Sequence, residues 1–102
     1  LIIERDEYLL ERRRRMDSGA DSYRRFLDGD DEGLAEIVRE YKDGLILYLN
    51  GYVNNLYIAE ELTEDTFFRL ITRKPKFSGK STFKSWLYAI RRWTLLGTIP
   101  DR

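Results

Sequence analysis

The sequence predicts an all-α fold, a compact bundle of about four to five helices. Three observations lead there. Apolar residues recur at three- and four-residue spacings along most of the chain, and no segment alternates with the two-residue period of a strand. Gly and Pro fall at the joints between periodic segments or are tolerated within one. At 102 residues the chain can bury one core but not two.

The elements follow in chain order. Residues 3–15, "IERDEYLLERRRR", read as a short helix with acids early and arginines late, matching the helix macrodipole. Met16 and "DSGADS" read as a start or linker, which sets residues 1–15 apart as an N-terminal helical extension to a domain spanning 16–102. "SYRRFLDGD" is expected to be a second short helix, ended by Gly29. Asp30 or Asp31 then caps "DEGLAEIVREYKDGLILYLNGYV", a long amphipathic helix. Its inward positions are Leu34, Ile37, Val38, Tyr41, Leu45, Tyr48, Leu49 and Tyr52, and it stops between Gly51 and Asn55.

Asn54 or Asn55 caps the next helix, "NNLYIAEELTEDTFFRLITRK", with Ile58, Leu62, Phe67, Leu70 and Ile71 expected inside. Pro75 ends it by restricting Lys74. A basic loop from Lys74 to Lys80 leads to "STFKSWLYAIRRWTLL", capped by Ser81 or Thr82, with Phe83, Leu87 and Ile90 inward before Gly97.

The chain has neither cysteine nor histidine. That removes disulfides, thiolate and imidazole zinc sites and the commonest general base, so the usual parts of an enzyme are missing and no cofactor or metal is implied. No apolar run approaches the ~20 residues of a membrane span, and the absence of cysteine points to an intracellular protein.

Net charge is zero, but the charges are segregated. Residues 1–65 hold 17 acidic and 9 basic side chains, whereas residues 66–100 hold eight bases and no acid. An acidic body joined to a one-signed basic stretch points to two different partners, or more blandly to a solvated basic face.

Two motifs in this frame invite over-reading. Gly79, Lys80 and Ser81 supply the last letters of a phosphate-binding loop, G-x-x-x-x-G-K-[ST]. The first glycine of that pattern would stand at Lys74, and no strand precedes it, so a mononucleotide site is rejected. The acidic "DGDDEG" would need a glutamate at the twelfth position, counting Asp28 as the first, to hold calcium, and Arg39 stands there. A carboxylate-rich helix N-terminus is the better reading.

Two surfaces remain. Glu60, Glu61, Glu64 and Asp65 share a broad helical face whose carboxylates repel one another unless a basic partner relieves them. Residues 73–93 interleave Phe77, Phe83, Trp86, Tyr88 and Trp93 with Arg73, Lys74, Lys76, Lys80, Lys84, Arg91 and Arg92. Cations neutralise phosphates and aromatic faces stack unpaired bases, at ~1–3 kcal/mol each. One of Phe83 and Trp86 is expected to belong to the core.

"AEELTEDTFFRL", a short basic loop and "FSGKSTFKSWLYAI" resemble the second conserved region of bacterial RNA polymerase sigma factors, most closely the extracytoplasmic-function group of the sigma-70 family. That pattern runs A-E-D-L-x-Q-[ED]-x-F, then F-x-[GS]-x-S-x-F-x-x-W-L-x-x-I-A-x-N. The resemblance extends from about Tyr23 to Ile90. It implies that the acidic helix docks on the clamp helices of the polymerase's largest subunit, through Glu61, Glu64 and Asp65, with Glu60, Leu62 and Phe68 completing the surface. Glu64 stands where glutamine is usual. It further implies that the following loop and helix melt the minus-ten promoter element and hold bases flipped from the non-template strand.

Arg73, Lys74, Lys76, Phe77, Ser78, Gly79, Lys80, Ser81, Phe83, Lys84, Trp86, Arg91 and Arg92 are the residues that would meet DNA. After Ile90, "RRWTLLGTIPDR" departs from the family, with Trp93 at the asparagine position. The helix-turn-helix domain that reads the minus-thirty-five element lies outside these residues, so the chain is expected to be an isolated domain that binds promoters poorly alone. The resemblance implies a cytoplasmic bacterial protein, without membrane insertion, that acts on core RNA polymerase and promoter DNA. The alternative is a degenerate interaction module that binds polymerase or an anti-sigma factor without opening DNA.

Overall fold

The computed structural model describes residues 17–96, with side chains over 17–90. The expected helix over 3–15 with its arginines, Met16, the side chains of Arg91, Arg92 and Trp93, and residues 97–102 all lie outside the described residues. Within them the chain is all helical: α1 (Ser18–Leu27), α2 (Asp31–Val53), α3 (Leu56–Arg73) and α4 (Phe83–Leu96). Helix α1 packs on α2, α2 on α3, and α4 closes against α3 and α1.

The joints show why each helix stops. Helix α1 ends in a Schellman turn: the Gly29 amide donates to the Phe26 carbonyl (3.0 Å) and the Asp30 amide to that of Arg25 (2.9 Å). Gly29 takes φ +104°, which its missing Cβ permits. Asp30 then caps α2, its carboxylate accepting from the Glu32 amide at 3.0 Å. Gly33 lets the two helices touch, because a Cβ there would lie 2.3 Å from the Ser22 carbonyl oxygen. The α2–α3 joint divides labour between two asparagines. Asn54 adopts the left-handed conformation (φ 50°) and closes α2, while extended Asn55 caps α3 by accepting from the Ile58 amide at 3.2 Å.

Two expectations need correcting. Helix α1 begins at Ser18, so most of "DSGADS" is helical rather than linker, and its N-cap is Asp17. On α3 the buried stripe is Ala59, Thr63, Thr66, Phe67 and Leu70, whereas Ile58 and Ile71 are exposed, as is Tyr52 on α2. Apolarity alone misplaced the stripe because two threonines hold core positions. Their hydroxyls donate to carbonyls one turn back, Thr63 to Ala59 at 2.8 Å and Thr66 to Leu62 at 2.7 Å. That avoids the ~1–3 kcal/mol cost of an unsatisfied buried hydroxyl. The remaining core is largely as expected, with Ile37, Leu45, Leu49, Leu70, Phe83, Leu87 and Ile90 fully buried.

Candidate nucleic-acid interface and docking face

Helix α3 presents its carboxylates along one exposed side. Glu60, Glu61 and Glu64 are exposed, and Asp65 is half-buried with a carboxylate 3.2 Å from Arg69. Glu60 and Glu64 line a groove of about 340 Å³ between α2 and α3, together with Val38, Lys42, Ile46, Phe67, Phe68 and Ile71. Glu61 and Asp65 lie outside that lining. Phe68, 62% exposed, and Ile71 give the acidic groove an apolar wall. Leu62 is half-buried and packs against the core. Such a surface suits a basic partner that also brings apolar side chains.

The loop after α3 is built differently. Lys74 closes the helix in the left-handed conformation (φ 45°), its amide donating to the Leu70 carbonyl at 3.1 Å. Pro75 prevents continuation, and its carbonyl accepts a hydrogen bond from the Tyr23 hydroxyl at 2.5 Å. Burial pushes the Tyr23 phenol well above its ordinary range, so it remains a donor throughout the physiological pH range. Gly79 turns the chain at φ +82°. Inside the loop, polar contacts are local and long, with the Lys80 amide 3.5 Å from the Ser78 hydroxyl and the Ser81 hydroxyl donating to the Thr82 carbonyl at 3.2 Å.

Thr82 caps α4, accepting from the Ser85 amide at 3.2 Å. A second cap comes from far away. Asp17 accepts from the Ala20 amide with one carboxylate oxygen (3.2 Å) and from the Phe83 amide with the other (3.0 Å), so one side chain serves the N-termini of α1 and α4.

Beneath the loop lies an aromatic cluster. The Phe83 ring has centroids of Tyr23, Tyr41 and Trp86 at 5.5 Å and of Phe77 at 5.7 Å. Phe83 is fully buried and offers no face to a base, so it belongs to the core rather than to the contact surface. Phe77 and Trp86, 5.1 Å apart, are half-buried at the cluster's edge. Around them Arg73, Lys74, Lys76, Lys80 and Lys84 are exposed, and none has an ion-pair partner among the described residues. Lys74 and Lys84 instead lean over the rings of Phe26 and Tyr88, each at 5.5 Å. Ser78, Gly79 and Ser81 are exposed at the tip. Gly79-Lys80-Ser81 therefore joins two helices, which is no setting for a mononucleotide loop. No group of acidic side chains positioned to hold a metal occurs among the described residues, and no described helix is long and apolar enough to cross a membrane.

A family model, Sigma-70 region 2, matches residues 37–96, from within α2 through the whole of α4. The chain belongs to the sigma-70 region 2 family. Of the three relatives that follow, two are named as ECF RNA polymerase sigma factors. RNA polymerase sigma factor YlaC of Bacillus subtilis is 28% identical over 65 residues, 64% of this chain and 38% of the relative. ECF RNA polymerase sigma factor SigC of Mycobacterium tuberculosis is 42% identical over 41 residues, 40% of this chain and 22% of the relative. ECF RNA polymerase sigma factor SigW of Bacillus subtilis is 31% identical over 62 residues, covering 61% and 33%. The region 2 domain thus spans between 22% and 38% of the length of these relatives. No solved structure matches it significantly.

Sequence reasoning missed the bonds that Asp17 and Tyr23 make to the two ends of this loop. Both act across more than fifty positions, 52 for Tyr23 to Pro75 and 66 for Asp17 to Phe83. Only the N-cap signal of Asp17 before a helix was available locally, and the linker reading of "DSGADS" concealed it.

Proposed function

We propose that the chain is the promoter-recognition domain of an alternative sigma factor. It docks on core RNA polymerase through α3, captures the non-template strand of the minus-ten element with residues 73–86, and so opens promoter DNA without catalysing a reaction itself. The observation that carries this reading is the pairing of loop cations, without ion-pair partners among the described residues, with the half-buried aromatics Phe77 and Trp86. Cations of this kind hold phosphates and fix register, while a ring and nearby polar groups repay the few kcal/mol needed to unstack a base. Trp86 supplies the ring face, and Ser78, Ser81 and the loop backbone supply edge contacts.

The acidic groove of α2 and α3 is the docking surface for the basic clamp helices of the polymerase's largest subunit, and an anti-sigma factor would compete there. This places the protein in the bacterial cytoplasm, at the nucleoid when it is bound to polymerase.

The test is binding of a single-stranded minus-ten oligonucleotide with core polymerase present, comparing the parent with Trp86→Ala and Lys80→Ala. Loss of about tenfold or more in both variants, with polymerase docking intact, is the expected result. Equal binding by all three, or none by the parent, would leave the docking face alone and make the chain an interaction module.

A further inference from the structure

The loop between α3 and α4 contains too little internal hydrogen bonding to define its own shape. Its two internal polar contacts connect residues one or two apart, and a side chain at Gly79 would meet only open space. Both of its ends, however, are tied to α1. Tyr23 bonds the Pro75 carbonyl where the chain leaves α3, and Asp17 bonds the Phe83 amide where the chain enters α4.

Helix α1 is in turn fixed to α2. Arg25 pairs with Glu36, which also accepts from the Ser22 hydroxyl at 2.7 Å, and the Ser18 hydroxyl donates to Glu40 at 3.0 Å. The anchors of the loop therefore stand on a packed support, away from the loop's own strand of chain.

We infer that Asp17 and Tyr23 are positioning residues of the nucleic-acid site, holding the two ends of the 74–82 loop at the spacing in which Phe77, Ser78 and Lys80 meet an unpaired base. The inference rests on the reading of this loop as a base-capturing element. It also assigns Asp17 a selective role. A helix N-terminus attracts phosphate, and at α4 that position is taken by a carboxylate. Strand phosphates are thus turned away from the amides at the start of α4 and toward Lys76 and Lys80 on the loop. The ring of Tyr23 packs on Phe83 and Trp86 whether or not its hydroxyl is present, so ring and latch are separable.

Two variants test this in the full chain. Tyr23→Phe keeps the ring and removes the latch. Asp17→Asn keeps one accepting oxygen and leaves one of the two helix N-termini unserved. Without nucleic acid, backbone ¹⁵N order parameters over residues 76–82 should fall in both variants from the rigid level of about 0.85 toward about 0.6, with α2 and α3 unchanged. With core polymerase present, affinity for a mixed-sequence single-stranded oligonucleotide is compared with that for an abasic sugar–phosphate strand of equal length. The ratio of the two should drop about fivefold in each variant, the loss expected from one hydrogen bond, while abasic binding by Tyr23→Phe stays at the parent level.

Unchanged order parameters in both variants would overturn the inference. So would an equal loss on both strands by Tyr23→Phe, which would mark a general structural role. If the parent itself does not distinguish the strands, base capture by the loop fails, and the positioning of a base fails with it. Loosened loop dynamics would then describe a purely structural tie.

Discussion

On α3, Glu60, Glu61 and Glu64 stand on backbone whose geometry is set by hydrogen bonds within one helix, and their spacing follows from 100° per residue. The cations at 74, 76 and 80 ride on backbone that is shaped by a left-handed Lys74, a glycine at φ +82° and two bonds from α1. The acidic face is therefore local information made visible, and the basic loop is the product of contacts across the whole fold. A partner that recognises a helix face can be met by α3 as it stands. A partner that must be gripped base by base needs the loop held open from outside, and α1 supplies that hold.

The contrast can be broken most forcefully at Phe83. Phe83→Ala removes a fully buried ring under the loop and should cost about 3–5 kcal/mol, a large part of the ~5–15 kcal/mol available to a domain of this size. Thermal unfolding should show it as a collapse of cooperativity or a large drop in Tm. Trp86→Ala, by contrast, should leave a folded protein that has lost oligonucleotide binding. Comparable thermal damage from both would mean that Trp86 is core as well, and the loop would lose its stacking surface.

Next comes charge reversal in the groove. Glu60→Lys with Glu64→Lys should weaken capture by core polymerase roughly hundredfold in a pull-down or fluorescence titration. The circular dichroism spectrum should not change, because both side chains are exposed. Retained docking would remove the acidic face from the comparison.

A smaller effect sharpens the other side. Lys76→Gln and Lys80→Gln should each reduce the slope of log affinity against log salt by about 0.7 for a single strand. An unaltered slope would mean that these cations are solvated bystanders.

The smallest effect concerns the support beneath α1. Hydrogen bonds from Arg25 and then Ser22 hold the Glu36 carboxyl below its usual value of 4.5. The folded form is thus the stronger acid, and its stabilisation is fully present above the unfolded pKa and lost as pH falls through the folded one. Glu36→Gln should lower Tm at pH 7, and the gap from the parent should close progressively in melts taken below about pH 4.

Among the described residues, helix identity, the Asn54–Asn55 joint, the break at Pro75 and the placement of acids and bases on separate stretches were all legible in the sequence, because each depends on residues within one or two turns. The register of α3 was not. Thr63 and Thr66 look like surface residues until their hydroxyls are seen bonding back to the helix's own carbonyls. The same limit applies to the site. Spacing could collect Phe77, Phe83 and Trp86 on one stretch of chain, but only packing decides that Phe83 is sealed while its neighbours reach the edge. Asp17 and Tyr23 were out of reach of any local rule, since their partners lie on the far side of α2 and α3 in sequence.

The separation of charge between the α3 groove and the loop has a consequence for the isolated chain. With a formal net charge of zero, no long-range repulsion keeps copies apart, while each copy carries both halves of a complementary electrostatic pair. In dilute buffer such molecules orient head to tail, the cations of one facing the carboxylates of the next. Added salt shortens the Debye length and screens that attraction. The same arrangement that lets two macromolecules approach from different sides makes the unpartnered domain its own weak ligand, soluble best where ionic strength is high.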